Sequence, residues 1–157
     1  MLKTNFPCSK EIFMEKLLIS ACLLGVSCRY DGKSKTLSGT LKLFEKYELF
    51  PVCAEIFGGL PTPRVPAEIQ GEKVITYDGR DVTAEYLKGA EEVLRLGKLF
   101  DAKKALLKEK SPSCGSGIIH NGKFDGGLVP GFGKTAALLL ENGFEVFGES
   151  QIEELLK

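Results

Sequence analysis

The segment KLLISACLLGVSCRYDG, residues 16–32, constrains what this chain can fold into more than any other stretch. Leu17, Leu18 and Ile19 form an unbroken apolar run, closed by Gly25 and the turn chemistry of Arg29-Tyr30-Asp31-Gly32. A short run bounded in this way reads as a buried strand that ends near Cys22. Open α/β sheets bind their ligands in the crevice outside the carboxyl ends of such strands. A thiol at that point is therefore a candidate for chemistry. Two more cysteines take similar places: Cys53 closes Leu49-Phe50-Pro51-Val52, and Cys114 follows Ala105-Leu106-Leu107-Lys108 through Lys110-Ser111-Pro112-Ser113.

Residues 1–13 lack periodicity and contain Pro7; they read as a tail or short helix in which Cys8 is incidental, ahead of one domain over residues 14–157. Beyond the first strand, Ser38 or Thr40 is placed to cap a short helix through Leu41, Leu43, Phe44 and Tyr47, before a second strand over 49–53. The stretch 56–66 holds too much Gly and Pro for regular structure, and long loops in compact domains tend to be functional. Residues 67–71 and 73–77 suggest a small hairpin. From Asp81 onward, Tyr86, Leu87, Ala90, Val93, Leu94 and Leu99 recur at helical spacing with charges between them, the pattern of an amphipathic crossover helix. A strand over 104–109 follows. Ile118 to Phe124 suggests a tight hairpin on Asn121-Gly122, with a glycine-bracketed loop after it. A helix over Thr135–Glu141 then leads to a strand at 144–147 and a terminal helix at 153–156. Alternating strands and helices predict a three-layer, Rossmann-like α/β domain: a small, mainly parallel sheet with helices on both faces.

The 157 residues suffice for one domain with a full core. With 21 basic and 21 acidic residues the formal charge is zero, which argues against nucleic acid or an anionic membrane as a bulk electrostatic partner. No apolar run approaches the ~18 residues of a membrane span, and the N-terminus does not read as a secretory signal. Five cysteines cannot complete a disulfide framework, and a cytoplasmic location favours metal binding or catalysis.

Gly133-Lys134-Thr135 invites a phosphate-loop reading, but Leu128 stands where that loop needs glycine. The helix start there keeps the option of free backbone donors for a carboxylate or phosphate. His120 is the only histidine, expected on an exposed hairpin beside Asn121-Gly122. One histidine leaves little room for Ser-His-Asp hydrolysis or a histidine-rich zinc site. The chemistry falls to Cys, Ser, Asp, Glu and Arg. Cys22, Cys53 and Cys114 lie tens of residues apart without a local CxxC signature. Their positions alone leave open inert buried thiols, soft-metal or iron–sulfur ligands, and a catalytic nucleophile. Cys28, six residues past Cys22, reads as a fourth ligand or a packed thiol.

Four segments in order, ISACLLGVSCRYDG, PVCAEIFGGLPTPRVPAEI, KSPSCGSG and GFGKTAALLLENGFEV, resemble the successive motifs of the DUF523 family, which includes the iron–sulfur-dependent 2-thiouracil desulfurases. The resemblance runs from about residue 16 to residue 149. It implies a [4Fe-4S] cluster with three protein ligands and one open iron, matching Cys22, Cys53 and Cys114, while Cys28 aligns with a position that is not a ligand. It implies non-redox desulfuration of a thiolated pyrimidine to the oxo compound and hydrogen sulfide. The implied partners are a small thiolated base and cluster-assembly machinery, not nucleic acid or membrane. Cys53-Ala54-Glu55 departs from the Cys-Pro-Glu expected there but keeps the carboxylate. Glu55 is then a candidate general base or acid, against a solvated or helix-capping carboxylate. Ser111 is a candidate substrate hydrogen-bond donor or proton relay, against a turn-stabilising hydroxyl. Arg29 and Arg64 are as readily structural ion-pair partners as pocket residues. The rival class is a non-catalytic iron–sulfur or zinc module that senses oxygen or stabilises the fold.

Overall fold

A computed structural model describes residues 13–157; most of the expected tail, Cys8 included, lies outside the described residues. The first half contains β1 (Glu15–Ser20), α1 (Thr40–Lys46), β2 (Tyr47–Val52) and α2 (Ala54–Phe57), then β3 (Ala67–Gln70) and β4 (Lys73–Thr76). The second half contains α3 (Thr83–Leu99), β5 (Lys104–Leu107), β6 (Ser116–His120), β7 (Leu128–Phe132), α4 (Lys134–Glu141), β8 (Glu145–Gly148) and α5 (Ile152–Leu156). The central sheet has the order β2-β1-β5-β8, with every neighbouring pair parallel. The expected α/β architecture is thus observed.

Strand alternation builds the layers. Leu17, Ile19 and Leu106 point to one face, where Leu43 of α1 and Ile152 and Leu155 of α5 cover them. Leu18, Ala105 and Leu107 point to the other, against Val93 of α3 and Ala136 and Leu139 of α4. Leu17, Leu18 and Ile19 are fully buried, each contributing about 1.5–3 kcal/mol of hydrophobic stabilisation. The helix α3 buries Tyr86, Ala90, Val93 and Gly97 along one stripe, and Asp81 just ahead of it accepts the Thr83 N–H at 3.1 Å.

The order β2-β1-β5-β8 places a switch point at β1. The chain leaves β1 for β2 on one side and later returns to β5 on the other. Crossovers leaving in opposite directions open a crevice at the carboxyl ends of the strands. That edge carries Cys22, Cys53 and Cys114. The Ser20 hydroxyl, at the end of β1, accepts the Lys108 N–H at 2.9 Å and fastens the β1 and β5 ends together.

Three local expectations need correction. The Asn121-Gly122 pair does not close a two-residue hairpin: β6 pairs antiparallel with β7, joined by a loop over 121–127. The Asn121 side chain is spent inside that loop, accepting the Lys123 N–H at 2.9 Å and donating to Asp125 at 2.8 Å. Asp125 in turn accepts the Gly127 N–H, so side chains rather than a tight turn set the loop path. Consequently Leu128–Phe132, expected as loop, is a strand. Finally, α2 takes in Ile56 and Phe57, at the head of the stretch 56–66 expected to be irregular; the rest of that stretch carries no helix or strand. Helix α2 is held by α3: a Cβ on Gly89 would collide with the Ala54 carbonyl, and one on Gly58 with the Glu85 carbonyl.

Candidate active site

A cavity of about 690 Å³ lies at the carboxyl edge of the sheet. Cys22, Cys53, Cys114, Glu55 and Ser111, singled out from far-separated stretches of sequence, all line it. Each arrives by a distinct local device. Cys22 sits in a single 3-10 turn, Ala21–Leu24, that Gly25 ends with a positive φ of 96°. Cys53 precedes α2, and Cys114 follows a turn knotted by the Ser111 hydroxyl, which accepts the Ser113 N–H at 3.0 Å and the Cys114 N–H at 3.1 Å.

That turn decides what Ser111 can do. A hydroxyl has two acceptor sites and one proton. Both acceptor sites of Ser111 face backbone amides, so only its proton remains to give. Glu55 Oε1 lies 3.5 Å away and is the group placed to take it. The turn-stabilising role of Ser111 is therefore realised, and its O–H remains available as a donor.

Glu55 is neither solvated nor a surface cap. Its side chain is 13% exposed, and Oε2 lies 2.6 Å from the guanidinium of Arg64, itself only 6% exposed. Arg64 also donates to the carbonyls of Cys28, at 3.0 Å, and Pro61, at 3.2 Å, fixing the fork between two loops. Buried carboxylates need such pairing because an isolated charge is costly to desolvate. Sequence reasoning left Arg64 outside the site. Its signal would have been the need for a cation once Glu55 was placed in a buried crevice. Arg29 also lines the cavity and pairs with Asp31 at 3.4 Å, a partly exposed contact.

Four thiols share the cavity, since Cys28 is present as well. Its thiol is pushed above its ordinary value chiefly by the adjacent Cys22 thiol, with burial adding to the effect. The Cys53 thiol is pushed up strongly, first by Cys28 and then by burial. Burial raises Cys114 to about 12, opposed by hydrogen bonding with Ser20. Burial and neighbouring thiols thus disfavour free thiolates here, and a soft metal is the kind of partner that binds a thiol as thiolate. The donor set is all sulfur at the crevice, the chemistry that suits iron–sulfur clusters. Among the described residues no three His, Cys, Asp or Glu side chains are grouped tightly enough to hold one metal ion. Cluster ligands need not share a point, because each binds a different iron.

The amides at the start of α4 are not free. Lys134 N–H donates to the Pro112 carbonyl and Thr135 N–H to the Ser113 carbonyl, both at 2.9 Å. The helix start therefore buttresses the Cys114 turn rather than offering an anion site, correcting that option from the sequence. Lys134 reaches the Glu72 carbonyl at 2.8 Å. His120 is also unlike its expectation: at the end of β6 it is half-buried and lines the cavity. Glu68 of β3, only 7% exposed, lines it too, and nothing in its local sequence marked it. No described helix is long and apolar enough to cross a membrane.

Known proteins resemble this chain over most of its length. A protein of Bacillus subtilis (strain 168), the uncharacterized protein YbbK, is 41% identical over 150 residues, covering 89% of this chain and 99% of its own length. A solved structure of the [4Fe-4S]-dependent thiouracil desulfidase TudS superposes with a TM-score of 0.84 at 51% identity, covering 90% of this chain and 95% of that one. The family model for 2-thiouracil desulfurase matches residues 17–151. With the match running through the sheet and all three strand-end cysteines, the chain belongs to the 2-thiouracil desulfurase family.

Proposed function

We propose that this protein removes sulfur from a thiolated pyrimidine such as thiouracil by non-redox hydrolysis, using a [4Fe-4S] cluster held by Cys22, Cys53 and Cys114. The observation that carries the reading is the meeting, in one cavity at the sheet's carboxyl edge, of these thiols with the Glu55–Arg64 pair and Ser111. Cys22, Cys53 and Cys114 would hold such a cluster, which would supply Lewis-acid chemistry toward the soft thiocarbonyl sulfur.

The chain's own groups do the proton work. Replacing C=S by C=O with water releases hydrogen sulfide and changes no net oxidation state, so no electron donor enters the balance. Glu55, at the rim of the thiols, takes a proton from the attacking water. Arg64 fixes one carboxylate oxygen and the Ser111 O–H the other, so the carboxylate is held in one orientation while the reaction proceeds.

The test is sulfide release from 2-thiouracil by anaerobically reconstituted protein, with and without dithionite. Turnover independent of the reductant is expected. Strict dependence on it would reject the hydrolytic mechanism, and a cluster that assembles without any sulfide release would favour the sensing or structural role instead.

A further inference from the structure

The cavity has a second wall with no part in the chemistry above. The two hairpins build it: Glu68 from β3, Tyr77 just past β4, His120 at the end of β6, and Phe124 from the loop over 121–127. Two polar groups in this wall are short of partners. Oε2 of the buried Glu68 accepts the Phe124 N–H at 3.1 Å, and among the described residues Glu68 enters no ion pair. The Nδ1 atom of His120 is shut off from solvent and has no hydrogen-bond partner among the described residues. A buried N–H without a partner is costly, so the ring proton of His120 belongs on Nε2, and a polar group short of partners at a cavity calls for a ligand group to meet it. Beside them the Tyr77 and Phe124 rings form an edge-to-face pair with centroids 5.4 Å apart, an apolar surface for a flat ring.

Resting on the desulfuration reading, the geometry points to this wall as the subsite that recognises the lactam edge of the substrate ring. A thiopyrimidine that keeps one oxo group carries an N–H beside a C=O, a donor next to an acceptor. The free oxygen of Glu68 accepts that ring N–H, and His120, whose ring lines the cavity, donates to the carbonyl through Nε2. The thiocarbonyl is then left for the thiol side of the cavity. Glu68 and His120 are specificity-determining residues in this scheme, and the substrate class narrows to thiopyrimidines with an unblocked N–H between the thiocarbonyl and the remaining carbonyl.

Glu68→Gln keeps a carbonyl for the Phe124 amide but turns the free acceptor into a donor. His120→Phe keeps the ring volume and removes the nitrogen. With 2-thiouracil and the cluster-loaded protein, each variant should raise KM by about 10- to 100-fold and leave kcat within about threefold, the pattern of a lost orienting hydrogen bond. Calorimetric titration with uracil, which needs no turnover, should weaken by the same factor. On the wild type, 3-methyl-2-thiouracil should be a poor substrate, and Glu68→Gln should lose most of that preference. Unchanged KM and uracil affinity in both variants, with wild-type desulfuration intact, would overturn the subsite alone. Equal use of the methylated and unmethylated compounds by the wild type would overturn it without any variant. If the wild type releases no sulfide, the desulfuration reading fails, and uracil binding lost in both variants still supports the wall while retained binding rejects it.

Discussion

The sheet edge and the two-hairpin wall face each other across one cavity, yet they are held in place by different means. At the sheet edge, Cys22 and Cys53 directly follow strands packed in the core, while Cys114, farther past β5, is placed by the turn that the Ser111 hydroxyl ties. On the hairpin wall, position follows from side chains. Glu68 ties β3 to Phe124, the Gln70 amide donates to the Gly122 carbonyl at 2.7 Å, and Asn121 and Asp125 knit the loop between β6 and β7. A two-stranded hairpin has marginal stability alone, so each hairpin depends on what it docks against. The difference is one of bracing: the edge is carried by strands packed in the core, and the wall by hydrogen bonds among its own side chains and loops.

The largest effect should come from the edge. Replacing Cys22, Cys53 or Cys114 with Ala should prevent stable cluster assembly, while the wild type binds about four irons per chain. Iron content and visible absorbance after anaerobic reconstitution measure this. Cys28→Ala is the sharper case, because that thiol adjoins both Cys22 and Cys53. It should retain the cluster. Loss of the cluster in Cys28→Ala together with its survival in Cys114→Ala would redraw the ligand set.

Next in size is Glu55→Gln, expected to lower turnover by about 10²–10⁴-fold, the scale of a general acid–base contribution, with the cluster spectrum unaltered. Unchanged turnover would leave the carboxylate as nothing more than the partner of Arg64. Gly89→Ala probes the same edge from behind. The new methyl meets the Ala54 carbonyl, so α2 must shift, and overpacking of this kind costs about 1–3 kcal/mol. Because α2 carries Glu55, turnover should fall along with the urea midpoint. A variant destabilised by that amount yet fully active would show that Glu55 tolerates displacement.

The two regions were unequally legible in the sequence. The four strands, the crossover helix α3 and the thiols at strand ends were readable because burial on two faces imposes continuous apolar runs, and turns follow them at once. The cysteine and carboxylate motifs added the family resemblance on top. Arg64, Glu68 and His120 were not readable as site residues, since each owes its place to contacts across more than the local chain: Arg64 to Glu55 and the Cys28 carbonyl, Glu68 to Phe124, His120 to the pairing of β6 with β7. The Asn121-Gly122 pair misled for the same reason. Its local turn preference yielded to an Asn121–Asp125 contact and to the docking of Gly122 under Ile69. Short-range signals describe the edge well because the edge is built from short-range rules.

The smallest expected effect lies on the hairpin side and turns on pH. Asp81 joins β4 to α3 by three contacts: it bridges to Ile75, pairs with Lys73 at 3.1 Å, and accepts the Thr83 N–H at the start of the helix. Hydrogen bonds from the Thr83 side chain and backbone, then the Lys73 ammonium, lower its carboxyl to about 2. A carboxylate depressed in the folded state stabilises the protein above its unfolded value of about 3.9, and that contribution disappears as pH falls through the folded value. Asp81→Ala should therefore lower Tm by a few degrees at pH 6, where the wild-type carboxylate is fully charged. The gap between the two proteins should narrow steadily from pH 4 downward, as the wild type loses the same interaction by protonation. Cluster content and turnover at pH 7 should be untouched, because Asp81 serves the hairpin and not the thiol edge. A Tm difference that stays constant from pH 6 to pH 2.5 would mean that the charge of Asp81 does no bracing. A loss of cluster in Asp81→Ala would mean that wall and edge are mechanically one body, and the division between them would have to be abandoned.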